Sequence, residues 1–385
     1  MLDRSHDVAR VLDLFGRFPV VAVLGPRQIG KSTLAGLVAE KVGGEVASFD
    51  LEDPRHASQL ANPMVALEDR RGLVVLDEIQ RRPELFDALR VLADRRGTPA
   101  RFLILGSASP DLLRHSADSL AGRIAYHELR GFSIDDVGPK HVNELWLRGG
   151  FPRSFLSATA EASAEWRREF VRTYIERDLN LLGLQLDPQI LRRFWSMLAH
   201  YHGQIWNASE LSRAFGVTDK TVRRYLDVLC GTFVARRLEP WFENTKKRLV
   251  KAPKVYLADT GVLHTLLGVG DRDDLLAHPK VGASFEGFAI EQIAVRLGAR
   301  AEECFYWAVQ SGAELDLVVV RGRKRLGFEI KFTDAPRATP SMRSAMEFLK
   351  LRKLDVLHIG PDTFPIDRDI RAVSIRRLNS DIEPL

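Results

Sequence analysis

The sequence predicts an α/β protein whose first domain is a parallel sheet wound on both faces with helices. Three observations predict it. Apolar runs at Pro19 to Leu24 (PVVAVL), Leu73 to Leu76 (LVVL) and Arg101 to Gly106 (RFLILG) have the length and composition of strands buried in a parallel sheet. Helical spacing separates them, from Leu34 to Val42 and from Arg81 to Asp94, the latter with Leu85, Leu89 and Leu92 on one face. Between the first run and its helix stand Gly25, Pro26, Arg27, Gln28, Ile29, Gly30, Lys31, Ser32 and Thr33, a G-x-x-x-x-G-K-[ST] pattern.

Strand, glycine loop and helix in that order make a phosphate-binding loop. Gly25 and Gly30 let backbone N–H groups turn toward the β- and γ-phosphates of a nucleoside triphosphate, and the helix N-terminus adds partial positive charge. Lys31 neutralises the phosphates, and the Ser32 hydroxyl is a ligand for Mg²⁺. The second apolar run ends in Asp77-Glu78, which supplies the acidic partner. Asp77 is the expected metal ligand and Glu78 the group that polarises the attacking water. After the third run, Ser107 is the candidate sensor of the γ-phosphate. Arg123, in LAGRIAYHEL, is either a γ-phosphate contact in its own or a neighbouring subunit or a plain surface arginine.

At 385 residues the chain has room for two or three domains, each with its own core. Its 45% hydrophobic and 28% charged residues are those of an ordinary globular protein. No uncharged apolar run approaches the ~20 residues of a membrane helix. The N-terminal MLDRSHDVAR lacks the apolar core of a secretory signal, so a cytoplasmic protein is expected. Cys230 and Cys304 make neither a disulfide framework nor a metal cluster. A net charge of +5 is small beside 56 basic and 51 acidic residues, so local density is more informative. Trp241 to Lys254 holds Lys246, Lys247, Arg248, Lys251 and Lys254 against a single Glu243.

The motifs GPRQIGKST, LVVLDEIQRRPELFDALR, FLILGSAS and SLAGR resemble those of one family of bacterial and archaeal AAA-type P-loop ATPases. That family carries a C-terminal domain of unknown function 4143, and LRGGFPRSF, YIERDL and KVYLADTGVL are similar to it as well. The resemblance implies ATP as the nucleotide, over GTP, for which no base-specific motif is visible. The ATPase core is expected at 1–135 and a helical lid or linker at 136–205.

Residues 206–265 read as a winged helix-turn-helix. Leu211, Ala214 and Phe215 form a short apolar face, Gly216-Val217 a turn, and Thr218 caps a second helix that buries Val222, Leu226 and Leu229. Its exposed face offers Asp219, Lys220, Arg223 and Arg224 to a DNA major groove. Extended segments Phe233 to Leu238 and Leu249 to Leu257, joined by the basic stretch, form the wing. Five phosphate contacts from that stretch correspond to a log–log salt slope of about −4.5. The alternative use of such a fold is protein contact.

Residues 278–385 read as a restriction-endonuclease-like α/β domain. In GAELDLVVV-RGRKR-LGFEIK, pairing Leu315 and Leu317 with Phe328 and Ile330 brings Glu314 and Asp316 toward Glu329 and Lys331. Asp316, Glu329 and Lys331 match the D…(E/D)-x-K pattern of Mg²⁺-dependent nucleases, and Glu286, on the preceding helix, is a further ligand candidate. The competing reading is an amphipathic hairpin with Glu–Lys pairs. The expected function is a Mg²⁺-dependent ATPase coupled to DNA binding or remodelling, self-associating as a dimer or ring if Arg123 acts in trans, without a membrane partner. The alternatives are an ATP-dependent switch or scaffold that binds proteins, and an ATP-gated nuclease.

Overall fold

The computed structural model describes residues 2, 4–97, 99–106, 119–178, 187–242 and 249–385, with the side chains of all of these except residues 177 and 178. They form two compact units, Met1–Gly131 with Gly231–Phe233, and Phe132–Cys230 with Val234–Leu385. Ser107 and the basic residues Lys246, Lys247 and Arg248 lie outside the described residues. Among the described residues no helix is long and apolar enough to cross a membrane.

In the first unit β1 (Val20–Leu24), β2 (Val46–Asp50), β3 (Leu73–Asp77), β4 (Arg101–Gly106) and β5 (Ile124–Glu128) form a parallel sheet in the order β2-β3-β4-β1-β5. The three apolar runs take the three central places, where both faces are covered. The edge strands β2 and β5 are partly exposed and carry no apolar run, so the sequence reading lacks them. It also lacks α1 (Ser5–Phe15), which buries Val8, Val11, Leu14 and Phe15. Helix α2 (Lys31–Val42) starts immediately after the glycine loop, and α3 (Leu85–Ala93) buries Leu85, Phe86, Leu89 and Leu92. From β1, flanked by β4 and β5, the chain passes to β2 at the far edge. That switch opens a crevice at the carboxyl end of β1, where the loop sits.

The second unit contains α4 (Val142–Arg148), α5 (Ala160–Thr173), α6 (Pro188–His200), α7 (Ala208–Phe215) and α8 (Asp219–Gly231). The pair α7–α8 is the expected helix-turn-helix, turned at Gly216 (φ 65°) and capped by Thr218 Oγ1, which accepts from Thr221 N at 3.2 Å. Two details depart from the sequence reading. Ala214 is exposed, and Ser212 is buried beside Leu211. Asp219 faces the first helix: its carboxylate accepts from Ser212 Oγ at 2.6 Å and Ser209 Oγ at 2.8 Å, tying the two helices together.

The strands expected as a wing are part of a larger sheet. Strands β6 (Gln204–Ile205), β7 (Ala235–Pro240) and β8 (Lys254–Leu257) continue into β9 (Cys304–Ala308), β10 (Glu314–Arg321), β11 (Lys324–Lys331), β12 (Leu354–His358), β13 (Phe364–Asp367) and β14 (Ile370–Ser374). They make one nine-stranded sheet, ordered β13-β14-β12-β11-β10-β9-β7-β8-β6. The link is β7, which pairs antiparallel with β8 through Ala235 to Leu238 and parallel with β9 through Glu239 and Pro240. The sequence reading separates 206–265 from 278–385, whereas backbone pairing runs through both. Helix α9 (Thr260–Leu267) leads to α10 (Val281–Leu297), which buries Phe285, Phe288, Ile293 and Leu297, and α11 (Pro340–Leu349) packs on β10. The β10–β11 hairpin has the expected register, Leu317 opposite Phe328.

Candidate functional site

In the first unit the loop after β1 is held by close backbone approach. A Cβ on Gly25 would stand 2.5 Å from Leu129 O, so only glycine fits. Gln28 (φ 62°) and Gly30 (φ 100°) both take left-handed conformations, on either side of the buried Ile29. Lys31 is buried and donates from Nζ to Gly25 O and Pro26 O, each at 3.1 Å. Burial holds its ammonium below the usual lysine range, against the opposing pull of Glu78 and Asp77.

Ser32 Oγ donates to Asp77 Oδ2 at 2.6 Å, bringing the start of α2 onto the end of β3. The other oxygen of Asp77 accepts from Glu78 N at 2.9 Å. Glu78 is itself left-handed (φ 56°), a conformation uncommon for a non-glycine residue, and its carboxylate accepts from Gln80 Nε2. Thus Lys31, Ser32, Asp77 and Glu78 gather at the carboxyl end of the sheet. The donor set suits a nucleoside triphosphate with Mg²⁺: a glycine-framed loop, a buried lysine within it, and a hydroxyl–carboxylate pair.

Two further contacts brace this edge. Arg4, buried ahead of α1, donates to Ile29 O at 3.2 Å and to Arg130 O at 2.7 Å. Glu52 bridges Arg27 at 3.5 Å and Arg81 at 2.6 Å. Neither follows a local pattern, so sequence reading had no signal for them.

Arg123 stands elsewhere. Val20 pairs with Ile124 and Leu24 with Glu128, so Arg123 is at the amino edge of β5 while the loop follows the carboxyl edge of β1. Four strand steps of ~3.3 Å put these edges roughly 13 Å apart. Arg123 instead holds Asp94 through two bonds, at 2.6 and 2.7 Å. A contact from Arg123 to phosphate in its own subunit does not fit this placement.

In the second unit the nuclease-like residues do converge, but around a lysine. The β10–β9 pairing carries an irregularity between Leu315 and Val318, the stretch that contains Asp316. Asp316 is buried and its Oδ2 accepts from Ile330 N at 2.8 Å. Lys254 Nζ lies 2.8 Å from Glu314 Oε1, 3.1 Å from Glu286 Oε1 and 3.7 Å from Asp316 Oδ1. Tyr256, two residues along β8, donates to the same Glu286 oxygen at 2.6 Å. Glu329 is buried and pairs with Lys331 at 2.6 Å, while its Oε2 has no hydrogen-bond partner.

Burial, then the charge of Asp316, pushes the carboxyls of Glu286 and Glu329 up to about 7. Burial also raises Asp316. Burial alone would lower Lys254, but Glu286, Asp316 and Glu314 hold it well above the usual lysine range. Among the described residues no three His, Cys, Asp or Glu side chains are placed to hold a metal ion. Of the possible nuclease set, Glu286 and Asp316 stand within 4 Å of Lys254, and Glu329 pairs with Lys331. Of the basic residues read from the sequence, Lys254 is 3% exposed, whereas Lys220, Arg223, Arg224 and Lys251 lie on the surface. The alternation of Lys254 and Tyr256 on β8 was the available signal, masked by their place beside a basic run.

A phosphate loop opposite an acidic strand end, on a parallel sheet with β1 between β4 and β5, defines a P-loop NTPase. An AAA domain family model matches residues 17–137. Domains of unknown function match residues 139–273 (DUF8612) and 281–378 (DUF4143). The uncharacterized proteins Rv2008c of Mycobacterium tuberculosis and Mb2031c of Mycobacterium bovis are each 47% identical over 373 residues, 97% of this chain and 84% of theirs. The chain belongs to this family of P-loop AAA proteins with a C-terminal DUF4143 domain. Among solved structures, the Walker-type ATPase PABY2304 of Pyrococcus abyssi is similar at 16% identity, with 69% of this chain and 96% of that chain covered and a TM-score of 0.48. The Thermotoga maritima RuvB Holliday junction branch migration motor follows at 16% identity, with 60% and 89% covered and a TM-score of 0.29.

Proposed function

We propose that this protein is a Mg²⁺-dependent ATPase whose hydrolysis is coupled to DNA binding or remodelling through its second unit. The observation that carries the ATPase reading is the 2.6 Å contact of Ser32 Oγ with Asp77 Oδ2, with Lys31 in the loop and Glu78 next in sequence. Backbone N–H groups of the loop from Arg27 to Thr33 bind the phosphates, and Ser32 and Asp77 would hold Mg²⁺, which would supply charge neutralisation on the phosphate oxygens. Lys31 exchanges its bonds to Gly25 O and Pro26 O for phosphate oxygens. Glu78 orients the attacking water and takes its proton, with Gln80 holding the carboxylate until then.

The DNA reading is supported by Lys220, Arg223 and Arg224 on the surface of α8, the second helix of the helix-turn-helix, with Lys251 exposed ahead of β8. Self-association and action of Arg123 in a neighbouring subunit belong to the same proposal. The second reading, an ATP-dependent switch that binds proteins, is favoured by the lysine in the acidic cluster, which already pairs with Glu286 and Glu314. The ATPase rate of wild type and Lys31→Ala, measured with and without a panel of DNA structures, tests these readings. Loss of turnover in Lys31→Ala and stimulation of wild type by DNA are expected. Unchanged turnover in Lys31→Ala refutes the site, and turnover indifferent to every DNA favours the protein-binding switch.

A further inference from the structure

The acidic cluster of the C-terminal sheet holds a cation that the chain itself supplies. We propose that the Lys254 ammonium is the resident cation of the Glu286–Glu314–Asp316 cluster, and that its presence excludes divalent metal from Asp316 and Glu329 and disables metal-dependent cleavage.

Three observations carry this. First, Lys254 Nζ is within 4 Å of three carboxylates, at 2.8, 3.1 and 3.7 Å, and also lies 5.6 Å from the centre of the Tyr306 ring. A Mg²⁺ ion ligated by all three of these oxygens at about 2.1 Å would crowd the place that the ammonium occupies. Two cations that close in a poorly solvated site repel strongly. Second, two of the oxygens already accept hydrogen bonds. Glu286 Oε1 accepts from both Lys254 and Tyr256, and Asp316 Oδ2 accepts from Ile330 N. Glu329 Oε2, which has no hydrogen-bond partner, belongs to a side chain that is 4% exposed.

Third, Lys254 is anchored inside the sheet. Its backbone pairs with Leu238 of β7 on one side and Ile205 of β6 on the other. With 3% exposure, its ammonium has no solvent to retreat to while β8 stays paired. In sheet order β7 and β9 stand between β8 and β10, yet the Lys254 side chain reaches Glu314 and Asp316 of β10. The same ion cluster therefore fastens the wing strand to the hairpin that carries Asp316. Divalent metal enters only when β8 withdraws or Lys254 is removed.

The test is Mn²⁺ titration of the full chain without nucleotide, read as free Mn²⁺ by electron paramagnetic resonance. Wild type, Asp316→Asn, Lys254→Met and the Lys254→Met/Asp316→Asn double variant are compared. Dependence on Asp316 separates this cluster from Asp77. Wild type and Asp316→Asn are expected to bind Mn²⁺ equally. Lys254→Met is expected to gain a site at least tenfold tighter than any in wild type, absent from the double variant. Weaker Mn²⁺ binding by Asp316→Asn than by wild type overturns the proposal. So does a folded Lys254→Met that binds no more than wild type. Should Lys254→Met not fold, the comparison of wild type with Asp316→Asn still decides: equal binding supports a lysine-filled cluster and unequal binding refutes it.

Discussion

Ser32 and Asp77, 45 residues apart in sequence, meet through a 2.6 Å hydrogen bond across the carboxyl edge of the parallel sheet. The bond pre-positions a hydroxyl and a carboxylate on the same side of the phosphate loop. It leaves Glu78, the next residue, turned by its left-handed backbone and held by Gln80. In the proposed function, metal binding and water activation fall to these neighbouring but distinct carboxylates.

Glu78→Gln separates these roles. The variant should bind a fluorescent ATP analogue near wild-type affinity while turnover falls by about 10²–10⁴-fold, the usual worth of a positioned general base. Turnover within threefold of wild type in a coupled ATPase assay would remove Glu78 from the mechanism.

Arg123 is tied to Asp94 at the opposite edge of the sheet. Arg123→Ala should leave turnover near wild type at protein concentrations where the chain is monomeric. Loss of activity under those dilute conditions contradicts the placement at the amino edge. A defect that appears only as concentration rises assigns the residue to a neighbouring subunit.

The helix-turn-helix makes a quantitative prediction for DNA. Each phosphate contact contributes about 0.9 to the log–log salt slope, so Lys220→Ala/Arg223→Ala should make the slope shallower by about 1.8. Fluorescence anisotropy over a salt series measures it. An unchanged slope places the contacts elsewhere.

Asp259 and the Gly149-Gly150 pair join two segments far apart in sequence. The Asp259 carboxylate accepts from Gly150 N at 2.7 Å and from Val262 N at 2.9 Å. A Cβ on Gly149 (φ 77°) would stand 2.2 Å from Asp259 Oδ1. Asp259→Ala strands two buried N–H groups, and Gly149→Ala adds backbone strain to a clash. Each should destabilise the protein by about 2–4 kcal/mol in urea unfolding. A change below 0.5 kcal/mol, an order-of-magnitude threshold for surface positions, would show that the two segments are not locked together.

Two buried histidines predict an acid limit. Burial lowers His202 to about 3 and His264 to about 4. The His264 ring is neutral: its Nδ1–H donates to Leu147 O at 2.9 Å, and its Nε2 accepts from Ser284 Oγ at 2.7 Å. The unfolded rings titrate near 6.5, so the unfolded chain takes up these protons first. This contribution to stability is complete above pH 6.5 and is lost as pH falls toward 4 and then 3. In an NMR titration neither ring should change charge between pH 8 and 5; a midpoint near 6.5 for either contradicts its burial.

Much of the first unit was legible because its signals are local. An apolar run, a glycine loop and a helix adjoin one another in the chain, and the acidic strand end is itself contiguous. The edge strands β2 and β5 were not legible, because half-exposed strands lack the apolar run that marks a buried one. The helix-turn-helix was legible from periodicity and its cap. That Asp219 faces Ser209 and Ser212 was not, since helix spacing does not say which polar side chain turns to the preceding helix. In the C-terminal hairpin, alternation sufficed for the register of Leu317 with Phe328.

By itself, then, the sequence determined the phosphate loop, its acidic partner, the helix-turn-helix and the pairing of one hairpin. Each depends on residues within a short segment, where backbone geometry follows directly from residue type. Only the tertiary structure decided that Arg123 stands at the far edge from the loop, and that Lys254, at the end of a basic run in the sequence, is the buried partner of an acidic cluster. Both depend on strand order and register, which are set by pairings between segments distant in the chain.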